Sequence, residues 1–412
     1  MKILFINKYD NSGGAGIAAF RLASCLKQNR KTENYFLVGI KNSDLPFVYQ
    51  TRNGGIENFI ERGINYLSNL LGMQYFWLPF SSKTILEKIR EIKPDIIHLH
   101  NAHGGYFELS MLNEISMYAP IVWTLHDMWA FTANAAHTYG DESWKRFEAG
   151  KNEKKYFPQI GLPFGSLLLR RKKKIYTDSN LTIVCPSRWL YKLAIQSPVF
   201  EGKKIEQIYN GVDLKVFRKL EKEKVRKELG IPNDAAVLMF GAEKLKNEFK
   251  GGRDLINILN QLNKKINRQI HLIILGKGKI NEFNYEKFIV HSPGYVYDDT
   301  QLSKYYNAAD LFIYPTKADN LPNTLIEAIA CGLPCVSNDV GGCNEIVEDG
   351  VNGFLIPANS NHLFSEKVLF LLSNNELRKE FAKNCLDITL KKFSINNSSL
   401  LYHNLYKELI NM

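Results

Sequence analysis

The sequence predicts an α/β fold built from two doubly wound parallel sheets, and two observations carry that prediction. Short β-rich apolar runs alternate with helix-period segments along the chain. At 412 residues it is also too long for one compact core and suits two domains of ordinary size. The alternation restarts after Tyr209-Asn-Gly-Val-Asp213, as a second doubly wound domain requires.

In the first half, strands are expected at residues 2–7, 35–40, 95–100, 121–126 and 181–186. Between the first two, Ala18, Ala19, Leu22, Ala23 and Leu26 recur at helical spacing. Ile85, Ile89 and Ile92 do the same before Pro94 ends that helix. Neither period is sustained between residues 130 and 174, where aromatic, basic and glycine residues mix, so a long excursion is expected there. After the restart, strands are expected at 236–241, 271–276, 288–291, 311–314 and 334–337. The resulting division is 1–205 for the first domain and 206–392 for the second. A C-terminal helix, 393–412, carries Leu400, Leu401, Leu405, Leu409 and Ile410 on one face and is expected to pack back on the first domain.

Composition narrows the function classes. The longest uncharged apolar runs, 121–125 and 311–314, fall far short of the roughly 20 residues of a membrane span. The chain enters a strand at once with Met-Lys-Ile-Leu-Phe-Ile6, without the pattern of a signal peptide, so a cytoplasmic protein is expected. Cysteines 25, 185, 331, 335, 343 and 385 show no CxxC spacing, and neither disulfides nor a zinc site are expected. A net charge of +11 and a pI near 9.1 favour an anionic partner. No RNP-type aromatic motif, zinc finger or helix-turn-helix pattern accompanies the charge, so nucleic acid is not expected. The densest basic run, Arg170, Arg171, Lys172, Lys173 and Lys174, follows Leu167-Leu-Leu169. Such an order suits either a solvated helix end or reversible contact with an anionic membrane surface.

The residues suited to chemistry cluster at predicted strand ends. Asn11-Ser-Gly-Gly-Ala-Gly16 follows the first strand and opens the first helix, where Gly13, Gly14 and Gly16 let the backbone approach a phosphate or sugar. It is not GxGxxG, which argues against a dinucleotide. His98 and His100 alternate onto one strand face near His103, open to a metal reading or to polar residues ending a buried strand. His126-Asp127 ends the strand Ile-Val-Trp-Thr-Leu125, at the sheet edge where open α/β folds bind ligands. Lys250-Gly251-Gly252 precedes a helix, after Lys244 and Lys246, and an ammonium at that place neutralises a diphosphate. The stretch from Asp319 through Asn320, Leu321, Pro322, Asn323 and Thr324 to Glu327 opens another helix. Asn323 or Thr324 is expected to cap it, its first turn to face an anion, and Glu327 to accept hydrogen bonds from ribose hydroxyls.

Taken together, Ser-Gly-Gly-Ala-Gly16, Trp-Thr-Leu-His-Asp127, Tyr-Asn-Gly-Val-Asp213, Lys250-Gly251 and the stretch from Tyr314-Pro315 to Gly341-Gly342 resemble a retaining glycosyltransferase of family 4, of the bacterial polysaccharide-biosynthesis type. The resemblance covers nearly the whole chain. It implies the GT-B arrangement, two Rossmann-like domains facing across a cleft. The implied activity moves a hexose from a nucleotide diphosphate sugar, without a metal, to a saccharide or lipid-linked acceptor in exopolysaccharide, capsule or O-antigen synthesis.

The family's E-x7-E motif falls on Asp319 and Glu327. The resemblance therefore implies that Glu327 holds the donor ribose, Asp319 lies near the transferred sugar, and His126 contacts that sugar near the reacting carbon. It also implies that Lys250 and the 320–324 amides meet the diphosphate, and that Gly13, Gly14 and Gly16 approach phosphate or acceptor. Three features depart from the pattern. Asp319 stands for a glutamate, the usual arginine after Gly241 is absent with Lys244 or Lys246 as substitutes, and the excursion carries no cysteine.

Overall fold

The computed structural model describes residues 1–52, 54–148, 150, 155–162, 164–245, 247–278 and 286–411. By contact, the chain divides into two compact units, Met1–Tyr209 with Ser398–Met412, and Asn210–Asn397.

The first unit runs β1 (Lys2–Tyr9), α1 (Gly13–Arg30), β2 (Glu33–Ile40), β3 (Val48–Gln50), α2 (Gly55–Leu70), α3 (Pro79–Ile92), β4 (Ile96–Leu99), α4 (Met111–Ile115), β5 (Ile121–Thr124), α5 (Gly165–Thr177), β6 (Leu181–Cys185), α6 (Arg188–Ala194) and β7 (Lys204–Gln207). Its sheet has the order β3-β2-β1-β4-β5-β6-β7, with parallel pairings such as Ile3 to Ile96 and Ile97 to Ile121. β4, β5 and β6 are buried along their whole length, the expected state of strands covered on both faces. Ile85, Ile89 and Ile92 of α3 pack with Leu4, Ile6 and Leu99 in the core.

The second unit runs α7 (Lys222–Leu229), β8 (Ala236–Lys244), α8 (Gly252–Lys265), β9 (Ile270–Lys277), β10 (Phe288–Gly294), α9 (Asp299–Ala308), β11 (Leu311–Tyr314), α10 (Asn323–Ala330), β12 (Cys335–Asn338), α11 (Cys343–Ile346), β13 (Gly353–Ile356), α12 (Asn361–Ser373) and α13 (Asn375–Lys392). Its parallel sheet has the order β10-β9-β8-β11-β12-β13. In each unit the order reverses beside the first strand, between β1 and β4 and between β8 and β11. Ligands of open parallel sheets bind outside the strand ends at such a reversal.

Three short strands, β3, β7 and β13, were not expected from periodicity. Each lies at a sheet edge, where half-exposed pairing leaves no long apolar run to read. The C-terminal helix, α14 (Ile395–Ile410), corrects a second expectation. Its buried stripe is Ile395, Ser398, Ser399, Tyr402, Leu405 and Tyr406, while Leu400, Leu401 and Ile410 are exposed. The tyrosines win because their hydroxyls find partners inside the first unit: Tyr402 pairs with Thr124 at 2.8 Å and Tyr406 with His98 Nδ1 at 2.7 Å.

The 130–174 excursion also ends differently, because its last ten residues begin α5. The basic run is helical, and Lys172 is withdrawn from any surface role: its ammonium donates to the carbonyls of Trp129, Thr132 and Ala133 at 2.5, 2.9 and 3.2 Å and lies 3.9 Å from the Trp129 ring centre. Burial pushes its pKa well down. Lys173 pairs with Glu201 at 2.6 Å, and Arg171 stacks over Phe76. Arg170 and Lys174 remain exposed. All six cysteines are free thiols and buried.

Candidate active site

In the second unit three loops converge at the β8/β11 reversal. The loop after β11 is tied to the one before α8: Lys317 N and Thr316 Oγ1 both donate to Phe249 O, at 2.8 and 3.0 Å. Gly251 (φ +77°) sits so close that an added Cβ would lie 1.9 Å from Pro315 O. On the other side, Gly341 (φ +57°) would bring a Cβ within 1.7 Å of Asp319 O. Only glycine permits both approaches.

Their closeness gathers the predicted side chains. Lys250 is ion-paired with Asp319 Oδ2, the Tyr314 hydroxyl donates to the same oxygen at 2.5 Å, and Lys250 Nζ is 3.5 Å from that hydroxyl. Burial and the neighbouring Asp319 hold the Tyr314 phenol well above its usual pKa, so it remains a donor. Lys250 keeps about a third of its side chain exposed, enough for a ligand to reach it. Of the two lysines expected in place of the missing arginine, Lys244 is exposed at the end of β8 and Lys246 lies outside the described residues.

α10 begins as expected but is capped differently. Pro322 occupies the cap position with φ −69° and has no side-chain acceptor to offer the first turn, and Asn323 and Thr324 are the first two helical residues. Proline's fixed φ sets the helix start by itself. Asn323 Oδ1 is 3.5 Å from Asn210 Nδ2. The Thr324 hydroxyl is buried beside that of Tyr314, outside regular hydrogen-bond geometry. Asn320 and Leu321 are buried in the approach to the turn. Glu327 is also buried, and its Oε2 accepts from Tyr306 at 2.9 Å. Tyr306 was not foreseen, because a tyrosine at Glu327's partner position carries no local signal.

The first unit builds its own polar cluster at the β1/β4 reversal. Gly13 opens α1 with φ +68°, and a Cβ on Gly16 would stand 3.2 Å from Tyr9 O. Asn7 ties that turn to the next strand end, donating to Tyr9 O at 2.7 Å and accepting from Asn101 N at 3.1 Å. Gly14 lies in the first turn of α1.

His98 and His100 do share a face, with ring centres 4.1 Å apart. The metal reading fails for His98, whose two nitrogens are taken by Thr124 (2.7 Å) and Tyr406. His100 Nδ1 meets His126 Nε2 at 2.9 Å. Burial lowers the pKa of all three, His126 to about 4, so His126 is neutral at pH 7 and its Nδ1 is the nitrogen left for a ligand. Next to it, His103 Nε2 pairs with Asp127 Oδ2 at 2.8 Å, and Trp129 N donates to Asp127 Oδ1 at 2.9 Å. Burial opposes the charge on Asp127, but His103 and these hydrogen bonds outweigh it and hold the carboxyl below its usual range. These residues line a small pocket with Asn101 and Ala130.

Two parallel-sheet units, one of which gathers glycine-tight loops and a lysine before a helix at its sheet reversal, define the class of doubly wound α/β proteins. Comparison with known proteins identifies it. Residues 12–216 match the family model "Glycosyltransferase Family 4" and residues 221–386 match "Glycosyl transferases group 1". The chain belongs to the glycosyltransferases of this family, and its fold is GT-B. It is 27% identical over 61% of its length to 72% of an uncharacterized glycosyltransferase of Methanocaldococcus jannaschii. It is 24% identical over 74% of its length to 72% of the putative colanic acid biosynthesis glycosyl transferase WcaC of Escherichia coli K12. Among solved structures, Anabaena HepE in complex with UDP-glucose shares the fold with a TM-score of 0.68 at 18% identity, across 99% of this chain and 100% of that one.

Proposed function

We propose that this glycosyltransferase moves a hexose from a nucleotide diphosphate sugar to a saccharide or lipid-linked acceptor, with retention at the anomeric carbon, in the synthesis of a cell-surface polysaccharide. The observation that carries the reading is the Lys250–Asp319–Tyr314 cluster just ahead of α10, which sets a cation beside a helix N-terminus at a sheet reversal. The similarity to WcaC and the sugar nucleotide bound by HepE support the substrate class.

In this reading Asp319 holds Lys250 until the donor arrives, and the ammonium then shares itself with the diphosphate. The bond from the anomeric carbon to the diphosphate oxygen breaks while the acceptor oxygen joins that carbon from the same side. The departing phosphate takes the acceptor's proton. Lys250 and the amides of residues 320–324 stabilise the charge that develops on the leaving group. Neutral His126 serves as a hydrogen-bond partner for a sugar hydroxyl rather than as an acid. Glu327 receives the ribose, and Gly13, Gly14 and Gly16 leave room for phosphate or acceptor. The enzyme works in the cytoplasm, peripheral to the inner face of the membrane.

Thermal unfolding with UDP, GDP, ADP and their sugar conjugates tests this. A ligand at about 100 times its Kd stabilises by about 2.7 kcal/mol, a readable shift. We expect one nucleotide series to raise Tm and Lys250→Ala to abolish the rise. Tight binding without transfer or hydrolysis of any donor would instead mark a non-catalytic nucleotide- or glycan-binding assembly partner.

A further inference from the structure

α2 is an amphipathic helix turned inside out. Its polar side faces the protein: Glu61 is fully buried, accepts from Ser81 N at 2.8 Å and Oγ at 2.5 Å, and meets Arg52 at 3.5 Å. Ser68 is buried as well. The opposite side, Ile56, Phe59, Ile60, Leu67, Leu70 and the following Leu71, recurs at i, i+3, i+4, i+11, i+14 and i+15. At 100° per residue these positions make one stripe, and it is exposed, to 78% at Ile56 and 80% at Phe59. A water-facing helix normally shows the reverse arrangement, and a contiguous apolar patch of this kind marks an interaction surface.

The patch continues beyond the helix. Gly161 N donates to Asn69 O at 2.8 Å, Gln74 Nε2 to Pro158 O at 2.9 Å, and a Cβ on Gly72 would lie 3.0 Å from Phe164. These contacts fasten the end of α2 and the 72–77 turn to the segment before α5. That junction adds exposed Phe76, Trp77, Phe164 and Leu167. Cations border it: Arg62 flanks the stripe on α2, Arg171 lies over the Phe76 ring, and Arg170 and Lys174 continue the row that Leu167 starts on α5. On α2 itself the acids are Glu57 and the buried Glu61.

We infer that this face docks on an anionic lipid bilayer, α2 lying in the interface with its apolar stripe among the acyl chains and the α5 cations at the headgroups. Apolar and aromatic residues in the plane with basic residues at the border are the chemistry of an interfacial helix. A second copy of this chain would bring the same cations into apposition, so the charge favours lipid. This surface is independent of the donor site, so its test does not depend on the proposed reaction.

The test is sedimentation of the full-length protein with phosphatidylcholine–phosphatidylglycerol vesicles against phosphatidylcholine alone. Binding is expected to the mixed vesicles, weakened by salt and by about fivefold for each of Arg170→Gln and Lys174→Gln. Phe59→Ser with Leu67→Ser should abolish it while circular dichroism and Tm stay unchanged, since both side chains face outward. Should that variant misfold, brominated acyl chains in the mixed vesicles should quench wild-type tryptophan emission, mostly through Trp77, and Trp77→Phe should remove most of the quenching. Absence of binding, equal binding by the Phe59/Leu67 variant, or a concentration-dependent dimer that the variant dissociates would each overturn the assignment, the last by giving the face to a second copy.

Discussion

At Gly341 the backbone has φ +57° and its α-hydrogen faces Asp319 O at a distance no methyl group can occupy. Gly341→Ala should therefore displace the Asp319 loop, costing about 2–4 kcal/mol in urea unfolding, with loss of nucleotide binding. Lys250→Ala should leave the fold intact, because the side chain is partly exposed, while lowering kcat/KM about 10²–10³-fold in a transfer assay. Much at this scale was legible: Lys250, Asp319 and Glu327 stand out because charged residues in apolar or glycine-rich surroundings demand partners. The partners themselves were not. Tyr306 and Tyr314 look like ordinary core aromatics until long-range folding sets their hydroxyls against carboxylates. Pro322 holds the cap position that the polar side chains of Asn323 and Thr324 suggest for themselves.

Among elements, α5 and α14 show how one residue type misleads. With Lys172 read as polar, the stripe of α5 is broken at its middle turn; with it read as a buried position, Leu168, Leu169, Lys172, Ile175 and Tyr176 run without a gap. Lys172→Met should cost about 2–4 kcal/mol in urea unfolding despite its similar shape, since three carbonyls lose their donor. In α14 only Leu405 of the expected apolar set is buried, because tyrosine and serine carry most of the packed side. Tyr406→Phe should lower stability by about 1–2 kcal/mol by leaving His98 Nδ1 without its partner, measured by the same unfolding curve. Central strands are readable from their unbroken apolar runs, and so is the edge strand β10, whereas the short edge strands β3, β7 and β13 are not.

Across the molecule, acid should act unevenly. His98, His100 and His126 all lie in the first unit, and burial depresses each pKa. The unfolded chain therefore takes up protons that the folded unit refuses, so stability is complete above about pH 6.5 and is lost as pH falls. For His126 the loss runs from about pH 6.5 to about 4 and amounts to at most about 3 kcal/mol. Calorimetry should show a first-unit transition that moves down between neutral pH and about pH 5, while nucleotide raises a separate second-unit transition. His126→Asn should flatten part of the acid response.

The six buried thiols turn that division into a clock. Burial also pushes Cys185, Cys331, Cys335, Cys343 and Cys385 away from the reactive thiolate, Cys331 to about 12. An alkylating reagent thus meets none of them until the chain opens. Because Cys25 and Cys185 belong to one unit and the other four to its companion, the order in which peptides acquire label records which half of the molecule lets go first, and how often.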